Sequence, residues 1–105
     1  MKIFVANQDI PMALGVLTIY LHLPGCRSLK EKRGLLSPII ARIQKDYKAS
    51  VAEIGYQDKW TESVIACAYL SNSANHAQSV LTKICQQIEG LFPYANIIDT
   101  HIDYV

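Results

Sequence analysis

The sequence predicts an α+β fold in which one antiparallel, four-stranded sheet carries two helices on a single face. Three observations carry that prediction. Leu17, Ile19, Leu21 and Leu23 alternate with Val16, Thr18, Tyr20 and His22, which is the period of a strand covered on one side. Two later segments place apolar residues at helical spacing, first Leu36, Ile39, Ile40, Ile43 and Tyr47, then Ala77, Val80, Leu81, Ile84, Ile88 and Leu91. The stretches between and after them are rich in Val, Ile, Ala and Tyr and are bounded by turn residues.

Residues 12–23 form the first strand, and Pro24-Gly25 turns the chain. Ser28 with Glu31 three residues on is a capping box, so the first helix starts at Leu29 and runs for about four turns. Pro38 lies inside it and should clash with the carbonyl of Gly34, which predicts a kink or a break. Residues 48–56 read as a second strand, Gln57-Asp58-Lys59 as a tight turn and residues 60–70 as a third strand, together a hairpin. Ser71 or Asn72 caps the second helix, Gly90 and Pro93 stop it, and residues 95–105 form the last strand. The order β-α-β-β-α-β with short connections is the split-βαβ, ferredoxin-like two-layer sandwich, with strand order 4-1-3-2. Residues 12–105 make up this single domain, and Pro11 sets residues 1–11 apart as an N-terminal extension.

The net charge of +1 conceals an asymmetry. Residues 1–50 carry eight Lys and Arg against three acids, and residues 51–105 carry two against six. Global charge therefore marks no nucleic-acid binder, whereas a local basic patch near the first helix is expected. Cys26, Cys67 and Cys85 are odd in number and widely spaced, with no C-x-x-C pair, the usage of reduced thiols in a cytoplasmic protein. The apolar run 12–23 is too short to span a bilayer and lacks the cationic start of a signal peptide, so no membrane association is expected.

Arg27, Lys30, Lys32 and Arg33 crowd the start of the first helix, where the helix dipole opposes cations unless an anion arrives. They are the expected phosphate contacts, with RNA or a ribosomal particle as partner. The topology gathers His22, Gln57, Asp58 and Trp60 at the same end in supporting positions. Asp58 is placed to neutralise Arg27, and Trp60 to anchor the hairpin over the core edge. The open face of the sheet, with Val16, Thr18, Tyr20 and Tyr69, is a second candidate surface. It reads as a homodimer interface sooner than a base-stacking platform, because no Gly-Phe-type RNP motif accompanies it. His22, His76 and His101 fall at different places in the topology, so neither a metal nor a cofactor is expected, and no catalytic residue is assigned.

The pieces Gly15-Val16-Leu17, Leu21-His22-Leu23-Pro24-Gly25, Arg27-Ser28-Leu29-Lys30-Glu31-Lys32-Arg33, Val51-Ala52-Glu53, Gln57-Asp58 with Trp60, and Leu70-Ser71-Asn72 with His76-Ala77 resemble the YlxP-like family of small bacterial proteins. The likeness extends over nearly all of residues 12–105. It implies a ferredoxin-like fold, a cytoplasmic location and no settled activity, in a family often encoded near translation and ribosome-maturation genes. Family members usually carry His where Tyr56 stands, have no proline at the place of Pro38, and lack residues 1–11. The function expected is that of a non-enzymatic RNA- or ribosome-associated accessory protein. A homodimeric or protein-binding module that uses the open sheet is the alternative. An acylphosphatase-like hydrolase is the third reading, with Arg27 in the first β-α loop and Gln57 as the orienting amide, although that family's glycine-rich loop is missing.

Overall fold

Residues 11–105 are described by a computed structural model. Of the expected N-terminal extension, 1–11, all but Pro11 lies outside the described residues. The elements follow in the order β1 (Ala13–His22), α1 (Leu29–Tyr47), β2 (Ser50–Gly55), β3 (Glu62–Ser71), α2 (Ala74–Leu91) and β4 (Asn96–Tyr104). The sheet is ordered β2-β3-β1-β4 with every pairing antiparallel, which is the ferredoxin-like arrangement.

The alternation in β1 is what divides the sheet into two faces. Leu17, Ile19 and Leu21 are buried among Leu36, Ile39 and Ile43 of α1 and Val80, Leu81, Ile84 and Ile88 of α2, while Val16, Thr18, Tyr20 and His22 remain half-buried on the open side. Each fully buried aliphatic side chain of this cluster contributes about 1.5–3 kcal/mol relative to an exposed one. Gly15 permits the close seating of α2, because a Cβ there would lie 2.9 Å from Leu81 Cδ1.

Three expectations about the elements are corrected. α1 runs unbroken through Pro38, and it is longer than expected at 19 residues. Gly34 and Pro38 both sit on its exposed side, where water can satisfy the carbonyl that the missing N–H leaves free. Next to that gap, the Tyr94 hydroxyl donates to the Leu35 carbonyl at 2.6 Å. The N-cap of α2 is Ser73, whose hydroxyl accepts from His76 N at 3.3 Å; Ser71 still belongs to β3, and its hydroxyl accepts from Ser73 N at 3.1 Å.

Tyr69 is the third correction, and it concerns the proposed sheet face. The β1–β3 register pairs it with Gly15, which puts its ring on the helix side against the core, with its hydroxyl 3.3 Å from His76 Nε2. Val16, Thr18 and Tyr20 keep their places on the open side, joined there by Ala66, Leu70 and Ile54 from β3 and β2.

Candidate functional site

The basic segment is positioned by two turns in succession. Leu23-Pro24-Gly25-Cys26 is a type II turn, with Gly25 at φ 79° and Cys26 N donating to Leu23 O at 3.3 Å, and Leu23 N ties it to Thr61 O at 2.8 Å. The Ser28 cap then forms as expected, while the return bond from Glu31 reaches the residue before the N-cap. Ser28 Oγ accepts from Glu31 N at 3.0 Å, and the Glu31 carboxylate accepts from Arg27 N at 3.1 Å. Glu31 thus places negative charge at the start of α1, which offsets part of the opposition between the dipole and the cations.

The four cations separate into two groups. Arg27, Lys30 and Arg33 are exposed, whereas the Lys32 side chain is 2% exposed and points inward. Its ammonium has three donors, and all three are used: Tyr56 O at 2.7 Å, Lys59 O at 2.7 Å and the Glu53 carboxylate at 2.9 Å. Ser63 donates to the same Glu53 oxygen at 2.6 Å. The carbonyls that Lys32 captures are the two ends of the turn joining β2 to β3, in which Tyr56 takes φ 55° and Lys59 N donates to Tyr56 O at 2.9 Å. Lys32 therefore fastens the hairpin to the first turn of α1, and its expected role as a phosphate contact is corrected on that ground.

The supporting residues are also distributed differently. Gln57 donates its amide to Glu53 O at 3.2 Å, so the group a hydrolase reading needs beside Arg27 is engaged within the hairpin. Among the described residues, ion pairs form between Lys32 and Glu53, Arg42 and Asp46, and His101 and Asp99, and Asp58 makes none with Arg27. Trp60 is 54% exposed and covers no core edge. His22 lies on the open face opposite Glu62.

Arg42, Lys45 and Lys48 extend the exposed basic surface of α1 beyond its first turn. Asp46 is held below the usual carboxylate range, first by the hydrogen bond from Arg42 and then by the one from Gln87 of α2. Cys67 and Cys85 offer no nucleophile. Burial pushes Cys67 up to about 12, with Cys85 adding to the effect, and burial raises Cys85 as well. No three His, Cys, Asp or Glu side chains converge as a metal site among the described residues, and no helix among them is long and apolar enough to cross a membrane.

Residues 14–102 match the family described as "Protein of unknown function (DUF503)". The chain belongs to the DUF503 family. It is 38% identical over 66 residues to the uncharacterized protein YlxP of Bacillus subtilis strain 168, a match covering 63% of this chain and 71% of that one. A de novo designed protein, Foldit4, superposes with a TM-score of 0.50 at 9% identity, covering 90% of this chain and 96% of the design, and this likeness concerns the fold alone. The DUF503 match takes in the whole cation-bearing segment, the hairpin and both helices.

In this DUF503 chain Glu62 and Ile98 carry no sequence signal of a site, and Tyr56 is marked only by standing where the family usually has His. With Tyr20, Leu21, His22 and Ser63 they line a concavity of about 230 Å³ on the open face. The pairing of His22 with Glu62 and of Tyr20 with Val64 brings β1 and β3 side chains together there, and only the register reveals it.

Proposed function

We propose that the protein is a non-enzymatic, cytoplasmic RNA-associated accessory protein of ribosomal particles that lays the outer surface of α1 on phosphate. The observation that supports this reading is the segregation of charge. Arg27, Lys30, Arg33, Arg42, Lys45 and Lys48 are all exposed along α1 and its ends, against two exposed carboxylates, Glu31 and Asp46, both engaged in hydrogen bonds. Lys30 and Arg33, three residues apart, are neighbours on the helix surface, and Arg27 lies just before the cap. An arginine can take a phosphate oxygen pair in bidentate fashion, whereas a lysine acts as a point charge.

The test is salt-dependent binding to an unstructured oligouridylate and to ribosomal RNA, measured by fluorescence anisotropy. If Arg27, Lys30 and Arg33 each neutralise one phosphate, their triple replacement by alanine lowers the slope of log K against log salt by about 2 on single strands. Thermal stability should stay close to that of the parent, since none of the three is buried. Equal affinity and equal slope in parent and triple variant overturn the proposal.

A further inference from the structure

The open face of the sheet has a different chemistry from α1, and nothing in the RNA reading uses it. It exposes apolar side chains on its two edge strands and at the far end of β3, with Ile54 56%, Ile98 66% and Leu70 62% exposed, and it carries the carboxylates of Glu62 on β3 and of Asp99 and Asp103 on β4, Asp99 being paired with His101 on the same face. The register sets Asp99 opposite Tyr20 and Asp103 opposite Val16, so both carboxylates belong to this side. An isologous dimer on this face would bring two copies of the unpaired Glu62 and Asp103 carboxylates into one interface, which disfavours a second copy as the occupant.

The concavity on that face has the composition of a cation receptor. The rings of Tyr20, Tyr56 and His22 line it together with the Glu62 carboxylate, which has no ion-pair partner among the described residues. Aromatic faces attract ammonium and guanidinium groups through the ring quadrupole, and more strongly where water is excluded. Tyr56 already has such a neighbour, the Lys59 ammonium 5.4 Å from its ring centroid, from a residue that is not part of the lining. The volume of about 230 Å³ falls below the roughly 300–1,000 Å³ of pockets for drug-sized ligands, so the site fits one side chain rather than a nucleotide.

We infer that the Tyr20, His22, Tyr56 and Glu62 concavity receives an arginine or lysine side chain of a basic protein segment, with Ile98 of β4 as an apolar part of its wall. This inference does not rest on RNA binding by α1. The two sites lie on opposite layers of the sandwich, and each can fail alone.

The experiment is a titration of the isotope-labelled full chain with a hexa-arginine peptide, read by amide chemical shifts, with hexaglutamate as control. Shifts are expected at Tyr20, His22, Tyr56 and Glu62, and Glu62→Gln should weaken the affinity at least about fivefold, whereas Asp103→Asn, on the same face but outside the concavity, should change it less than about twofold. Both substitutions are nearly isosteric and keep a polar amide in place of the carboxylate, so a dispersed spectrum will verify their folding. Equal binding by Glu62→Gln and the parent, an equal loss in Asp103→Asn, or the same shifts with hexaglutamate overturns the inference. Shifts at these residues that grow with protein concentration alone would make the occupant a second copy and overturn it too.

Discussion

Replacing Lys32 with methionine should destabilise the protein by about 3 kcal/mol, because the change removes three hydrogen bonds and leaves a carboxylate without its cation. The magnitude follows from what each partner has left. Tyr56 O keeps the Lys59 N–H, and Glu53 keeps the Ser63 hydroxyl, but the bond to Lys59 O and the ion pair disappear. Removing one member of a buried pair costs about 3–5 kcal/mol, and the 21% exposure of Glu53 selects the lower end because water can screen the remaining charge. For a domain of this size, 3 kcal/mol lowers Tm by about 12–24 °C. Urea unfolding of Lys32→Met should show a lower midpoint with an unchanged m-value, and Lys32→Met/Glu53→Gln should recover at least about 1 kcal/mol by removing the stranded charge. A single variant within about 0.5 kcal/mol of the parent would refute the reasoning.

Two further substitutions test packing and charge separately. Gly15→Ala should cost about 1–3 kcal/mol in denaturant unfolding, because its Cβ would meet the Leu81 methyl at 2.9 Å and Leu81, fully buried, has little room to withdraw. Asp46 has a folded-state pKa below its unfolded value of 3.8, so its contribution is present above that value and is lost as pH falls through the depressed one. The Tm difference between the parent and Asp46→Asn should therefore be constant from neutral pH down to the unfolded value and should narrow as the pH drops further; a difference that stays constant in acid would contradict the assignment.

Much of the architecture was legible because period-two and helical patterning report directly on burial. β1 is the clearest case, since every alternate residue from Leu17 to Leu21 is in the core. Pro38 was misread because the penalty for proline depends on which side of the helix loses its donor, and at this position that side faces water. Tyr69 was misassigned because the facing of a β3 residue is fixed by cross-strand register, which a single strand's sequence does not contain. Lys32 differs from both. It lies four residues before Leu36, seven before Ile39 and eleven before Ile43, squarely on the apolar stripe of α1, so helical spacing contradicts the expectation of a phosphate contact and the signal for an inward lysine was present in the sequence. Its partners could not be foreseen, because two are backbone carbonyls of a turn and the third is the Glu53 carboxylate, all more than twenty residues away in the chain.

That distinction decides how the basic segment must be probed. The four cations look equivalent in the linear sequence, and a variant replacing all of them would strand Glu53 while also removing surface charge. Loss of RNA binding in such a variant would then follow from a weakened hairpin as readily as from lost phosphate contacts. Restricting the change to Arg27, Lys30 and Arg33 separates the two effects, since these side chains are exposed and none forms an ion pair among the described residues. Lys32→Met supplies the converse: a loosened hairpin with the exposed cations of α1 intact. If α1 binds phosphate through its outer surface, the triple variant loses salt-dependent binding at parental stability, and Lys32→Met, assayed below its own Tm, retains it.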